Sequence, residues 1–418
     1  MPTKVAILHY SSPPVVGGVE AVIQAHARLL ARAGQSVTVI AGRGARQALS
    51  GEAEFKLIPE MDSQHPRILQ ASLELEQGRI PPGFEEVTSR LEDTLEPVLA
   101  PFDHVIAHNL FTKHFNLPLT VALCRLLDKG RLRGCIAWCH DFSWSSPHSQ
   151  PKVHPGFPWD SLRTYRPDLT YVTVSRSRQV ELAGLLGVPQ EKVKVIYNGV
   201  DAGDLLGLSL EGQALIERLG LWESDLVMLM PVRVTQAKNI EFAFQVTAAL
   251  KARGVRPALV ITGPPDPHDP SNMEYYLGLQ RLRRQLQLEK ETMFVYDSGP
   301  QPGQPYLIGT PTVGELFRVS DLLFSPSHRE GFGMPILEAG LVGLPVVCAN
   351  FPAAQEIGGK DVITFPAEAS PGEVAGLITT RVESSGLHRL RQRIRQGYTW
   401  QAIFDHAILP LLAGSEGG

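Results

Sequence analysis

Two glutamates, Glu330 and Glu338, flank a glycine-rich stretch in SPSHREGFGMPILEAG, with seven residues between them. A carboxylate offers two acceptor oxygens and matches a vicinal diol such as ribose. Pro335 suits the first position of a helix, where its missing N–H costs nothing. That start places Glu338 on the first helical turn. The amides around Gly331, Phe332, Gly333 and Met334 then sit at the partly positive helix end, which suits hydroxyl oxygens or an anion. The plainer alternative is a helix-start charge beside a surface turn.

Arg233 and Lys238 stand five positions apart in PVRVTQAKNI. Two cations after a strand fit a diphosphate leaving group, because negative charge grows on its oxygens as the bond breaks. Each close charge pair contributes roughly 4 kcal/mol at an effective dielectric near 20, before desolvation. Standing alone, the two would read as solvated surface cations. Gly17 and Gly18, in VVGGVE, permit close backbone approach and open a helix whose amides could meet a phosphate. A bare Gly-Gly is more often a turn. The G-x-G-x-x-G fingerprint is missing, which disfavours a dinucleotide-dependent oxidoreductase. His140 ends the run IAWCH and Asp141 follows it; a lone histidine is more often simply packed. Cys135, Cys139 and His140 do not make a zinc site. The set is one ligand short, and alternate strand positions do not gather as a C-x2-C knuckle does. No metal and no cofactor are expected.

These residues follow apolar runs, so the elements that position them come next. VAILHY is a continuous apolar run of the kind a buried parallel strand needs. VEAVIQAHARLLARAG then shows helical spacing and a glycine stop. SVTVIAG, HVIAHN, GCIAWCH, LTYVTVS and VKVIYNGVD extend the series, which restarts after Asp201 with LVMLMPVR, PALVITG, TMFVYDSG, DLLFSPS and LPVVCAN. Two such series predict two doubly wound α/β domains, with boundaries expected at residues 1–204 and 205–396. The amphipathic segment 397–418 is expected to pack back toward the first domain. Glu52 to Pro97, broken by prolines and glycines, reads as an insertion. Ligands of such sheets bind outside the carboxyl ends of strands, and the cleft between facing domains is the default site.

The length of 418 residues fits two cores better than one. A net charge of -4 gives no basic signature for nucleic acid. Four cysteines are too few for a disulfide framework and suit a reduced, cytoplasmic protein. The N-terminus reads as a strand and not a signal peptide. No run approaches a membrane span, although peripheral contact stays open. LHRLRQRIRQ reads as a basic helix with a solvated face.

EGFGMPILE resembles the E-x7-E motif of the retaining glycosyltransferases of family 4, which have the GT-B fold. The resemblance implies that Glu338 binds the ribose of a nucleotide sugar and Glu330 the donor sugar. Amides of Phe332, Gly333 and Met334 would bind sugar hydroxyls, with Gly331 and Pro335 completing the turn. Arg233 and Lys238 resemble the family's R-x4-K pair, although Pro231-Val232 stands where the family often has glycine. Gly17 and Gly18 resemble its glycine loop, near the donor phosphate and the acceptor. His140 matches a family histidine close to the reacting carbon. Ser298 and Gly299, in YDSG, lie where backbone meets the nucleobase. Gly18, Asp141 and Asn198 are the acceptor-side candidates, and Asn198-Gly199 is most simply a turn. The proline-rich ITGPPDPHDPSN could cover the ligand or be plain surface.

The implied protein is a monomeric or dimeric, metal-independent retaining hexosyltransferase. Its first domain would take the acceptor and its second a UDP-, GDP- or ADP-hexose. Attack would come from the face the diphosphate leaves, and a departing phosphate oxygen would take the acceptor's proton. A small sugar or sugar-acid acceptor is expected, with a polysaccharide or lipid-linked glycan as the alternative. A sugar-nucleotide epimerase would need further acids around the sugar carbon. A phosphorylase would need a phosphate or cofactor-lysine site, and a non-catalytic nucleotide-sugar sensor would have eroded motif residues.

Overall fold

The computed structural model describes residues 2–49, 53–266 and 271–414. It divides into two compact units, Met1–Gly199 with Trp400–Gly418, and Val200–Thr399. These divisions fall a few residues from the expected boundaries.

The first unit holds a seven-stranded parallel sheet: β1 (Lys4–Ser11), β2 (Ser36–Arg43), β3 (Glu54–Leu57), β4 (His104–His108), β5 (Cys135–Cys139), β6 (Thr170–Thr173) and β7 (Val193–Val195). Their order across the sheet is β3-β2-β1-β4-β5-β6-β7. Every residue of β1 after Lys4 is buried, because helices cover both faces of a parallel sheet. Alternation along the strand sends Val5 and Ile7 to one core and Ala6 and Leu8 to the other. Trp400, Ile403, Phe404, Ile408, Leu411 and Leu412 join the core of Val5 and Ile7, so the end of the chain packs within this unit.

The expected insertion is instead part of the sheet and core. Edge strand β3 pairs with β2, and the helix Phe84–Leu99 buries Val87, Leu91, Leu95 and Leu99 at helical spacing. The described part of this segment begins at Ala53, so Glu52 lies outside it.

The second unit holds a six-stranded parallel sheet: β8 (Leu226–Met230), β9 (Pro257–Ile261), β10 (Thr292–Phe294), β11 (Leu322–Ser325), β12 (Val346–Ala349) and β13 (Ile363–Phe365). Their order is β10-β9-β8-β11-β12-β13. In both sheets the chain's direction of travel reverses beside the first strand, between β1 and β4 and between β8 and β11. Such points open a crevice at the carboxyl edge.

The basic helix, Gly386–Gly397, is not simply solvated. Arg395 is buried, 3.1 Å from Asp321 Oδ2, and it donates to Ser224 O at 2.7 Å. Arg391 donates to Ser320 O at 2.7 Å, whereas Arg389 and Arg393 stay exposed. Among the described residues no helix is long and apolar enough to cross a membrane.

Candidate active site

In the second unit the loops after β8 and β11 meet at the crevice. His328 N donates to Ala237 O at 3.0 Å. Lys238 Nζ donates to Glu330 Oε1 at 2.6 Å, and Ser327 Oγ donates to the same oxygen at 2.7 Å. The sequence did not single out Ser327, which has no motif of its own. Arg233 is mostly exposed and reaches Asp266, 3.6 Å away. Lys238 and Arg233 therefore face different carboxylates.

The turn that follows depends on Gly333, whose φ of 88° is left-handed and closes the turn before the helix Met334–Leu341. The helix start departs from expectation by one residue. Met334 takes the first position and Pro335 the second, so Glu338 lies beyond the first turn. Glu338 and Phe332 are exposed. Ser298 and Gly299 follow a short 3-10 turn, Val295–Asp297, and not the strand itself. Ser298 O accepts from Arg218 Nε at 2.9 Å. A Cβ at Gly299 would sit 2.8 Å from Tyr306 Cβ, so only glycine fits unshifted. Of the proline-rich loop, Pro267–Pro270 lie outside the described residues.

In the first unit, Gly17 caps the helix Gly18–Arg32. A Cβ at Gly17 would lie 2.1 Å from Glu20 Oε2, so the missing side chain lets this carboxylate fold back. Glu20 Oε1 accepts from Ser11 Oγ at 2.5 Å. A phosphate approaching this loop meets that negative charge, and exposed Gly18 is the residue left open to it.

His140 is buried at the carboxyl end of β5. Asn109, in a left-handed conformation (φ 59°), accepts from His140 N at 2.8 Å and from Asp141 N at 3.2 Å through Oδ1. His140 Nε2 lies 3.1 Å from His108 Nδ1, and one ring donates to the other. Burial, helped by the neighbouring His9, pushes the His140 pKa down to about 4. His140 is therefore neutral at pH 7, and its ring is held by hydrogen bonding and not by charge. Asp141 pairs with Arg178 at 3.1 Å. Asn198 is exposed and lies apart from these contacts. Asn109, His108 and Arg178 were not singled out from sequence. Asn109 after HVIAH was the readable signal, as asparagine tolerates the left-handed region. Cys135 and Cys139 are buried in β5, and burial pushes the Cys139 thiol up to about 12. Among the described residues, no group of three or more His, Cys, Asp or Glu could hold a metal ion.

Residues 16–204 match the family model described as Glycosyltransferase Family 4, and residues 213–398 match Glycosyl transferases group 1. Two parallel-sheet α/β domains, each matched by a glycosyltransferase model, have the architecture of the GT-B type. The first half of the chain thus matches the family 4 model and the second half the group 1 model, each over a little less than half of the chain. It is 29% identical over 198 residues to an uncharacterised glycosyltransferase of Methanocaldococcus jannaschii, covering 47% of this chain and 46% of that one. It is 32% identical over 171 residues to a D-inositol 3-phosphate glycosyltransferase of Actinosynnema mirum, covering 40% and 38%. A mannosylglucosylglycerate synthase of Petrotoga mobilis is 20% identical over 330 residues, covering 74% and 72%. The first of these curated relatives are spanned over less than half of their own length.

Proposed function

We propose that this chain is a retaining hexosyltransferase. It would move a sugar from a nucleoside diphosphate sugar to a hydroxyl of a small sugar phosphate or sugar acid. The observation that carries the reading is the cluster of Lys238, Ser327 and Glu330 at the β8–β11 crevice, followed by the left-handed Gly333 turn and the helix bearing Glu338. Glu338, exposed and one turn into that helix, is the ribose acceptor. Amides of Phe332, Gly333 and Met334 bind sugar hydroxyls. Glu330 holds the sugar, while Lys238 and Arg233 stabilise the charge that grows on the diphosphate.

Gly299 brings bare backbone to the nucleobase, which supports recognition by peptide groups. The acceptor attacks from the face the diphosphate leaves, and a departing phosphate oxygen takes its proton. For the acceptor class, the relatives' names support the reading: one carries inositol 3-phosphate and another a glycerate.

The test is a thermal-shift panel of UDP-, GDP- and ADP-hexoses with EDTA present throughout. A ligand that binds only the folded state raises the melting temperature. One nucleotide sugar should do so, and that sugar should then support transfer in EDTA. A flat panel overturns the donor assignment. Transfer that appears only after a divalent metal is added overturns metal independence.

A further inference from the structure

Lys113 is the one buried lysine among the described residues, 7% exposed. An ammonium removed from water ordinarily pairs with a carboxylate. Here the described residues place none within 4 Å. Nζ donates to the neutral Ser149 Oγ at 3.2 Å and sits 4.6 Å from the centroid of the Phe115 ring. An ammonium carries three donors, so Ser149 leaves two. The nearby Asp141 is bonded to Arg178, which is also 2.7 Å from Glu181. Lys113 thus has no carboxylate in direct contact, Asp141 acting on it only at longer range, and burial lowers its pKa.

The backbone around it is fixed. Lys113 N donates to Asn109 O at 3.0 Å, and Tyr10 Oη donates to Lys113 O at 3.3 Å. Ser143 N donates to Thr112 O at 2.9 Å, and His114 N donates to Ser143 Oγ at 2.9 Å. Asn109 therefore holds Lys113 through its carbonyl and His140 through its side chain. The loop after β4 is joined to the loop after β5 at the carboxyl edge, where the sheet reverses. A cation fixed in this way loses little freedom on meeting an anion, which is the condition for a preorganised site.

We infer that Lys113 anchors an anionic group of the acceptor, a phosphate or a carboxylate, beside His140 in the first domain. Calling that ligand the acceptor rests on the transferase reading; the anion site itself does not. The attached hydroxyl, and not the anion, would be glycosylated.

The test compares glycerol 3-phosphate, D-glycerate and glycerol as probes by thermal shift and calorimetry. It uses the wild type, Lys113→Met and Lys113→Arg. The wild type should be stabilised by one or both anions and not by glycerol. Whichever anion acts alone names the group. Lys113→Met keeps the stem and loses the charge, so its affinity for the anion should fall about tenfold or more. Lys113→Arg should restore part of it. A far-UV spectrum and a cooperative melt establish that each variant is folded. If Lys113→Met does not fold, Lys113→Gln takes its place, and the wild-type preference for anion over glycerol still decides. No such preference, or an unchanged anion response in a folded Lys113→Met, overturns the proposal. A flat nucleotide-sugar panel with an intact anion response would sink the donor reading instead.

Discussion

Lys238 Nζ lies 2.6 Å from Glu330 Oε1, so the cation assigned to the leaving group and the carboxylate assigned to the sugar are bonded to each other. The contact gives each group a fixed direction before any ligand arrives. It also means that neither can be removed without disturbing the other. Lys238→Met and Glu330→Gln should each lower kcat roughly 10²–10³-fold. The double variant should lose less than the product of the two, because residues in contact do not act additively. Each single variant should also cost about 1–3 kcal/mol of fold stability, since the pair is mostly shielded from water and the remaining partner is left unpaired. A double-mutant cycle on kcat is the check. Wild-type rates in both single variants would remove the pair from the chemistry.

Glu338 tests donor binding separately from stability. It is exposed on its helix, so Glu338→Ala should leave the ligand-free melting temperature nearly unchanged, within about 0.5 kcal/mol. If it holds the ribose diol, the same change should weaken the nucleotide sugar about tenfold or more, because charged hydrogen bonds are worth ~1.5–3 kcal/mol. Calorimetry with the donor found in the thermal-shift panel decides. Unchanged affinity would place the ribose elsewhere.

The alternation of apolar runs and helical spacing was enough to read most of both parallel sheets, because a strand buried on both faces leaves a continuous apolar signature, but the three-residue edge strand Ile363–Phe365, only partly covered, was missed. The Glu54–Leu57 edge strand was harder. Only partly covered, it shows no apolar run, and the prolines nearby looked like loop. The helix Phe84–Leu99 was missed as well: Val87, Leu91 and Leu95 carry its spacing, but Pro97 in its last turn made the segment look broken. In the site, motif residues were readable because glycine, proline and charge at fixed spacing are rare together. Ser327 and Lys113 were not. A serine or lysine in a loop has no pattern, and its role exists only once two strand ends are side by side.

His26 gives a stability test. Its ring packs against Trp138, His108 and Trp400 at centroid distances of 4.6, 5.4 and 5.5 Å. Both ring nitrogens are buried without a partner. Burial, and then the nearby His140, push its pKa down to about 3, against an unfolded value near 6.5. Between those values the unfolded chain takes a proton that the folded chain refuses, so stability present above pH 6.5 is lost as pH falls. At pH 5 the loss from His26 alone comes to about 2 kcal/mol. His108, His140 and His9 are depressed by the same burial and add in the same direction. His26→Phe replaces an unsatisfied polar ring by an apolar one, a change that is nearly neutral or stabilising in such a place. Its melting temperature at pH 7 should therefore equal or exceed that of the wild type. Between pH 7 and pH 5 its melting temperature should fall less steeply, by roughly the contribution of one proton. Melting curves of both proteins across that range are the measurement. Parallel pH profiles would show that His26 is not the group the folded state keeps neutral.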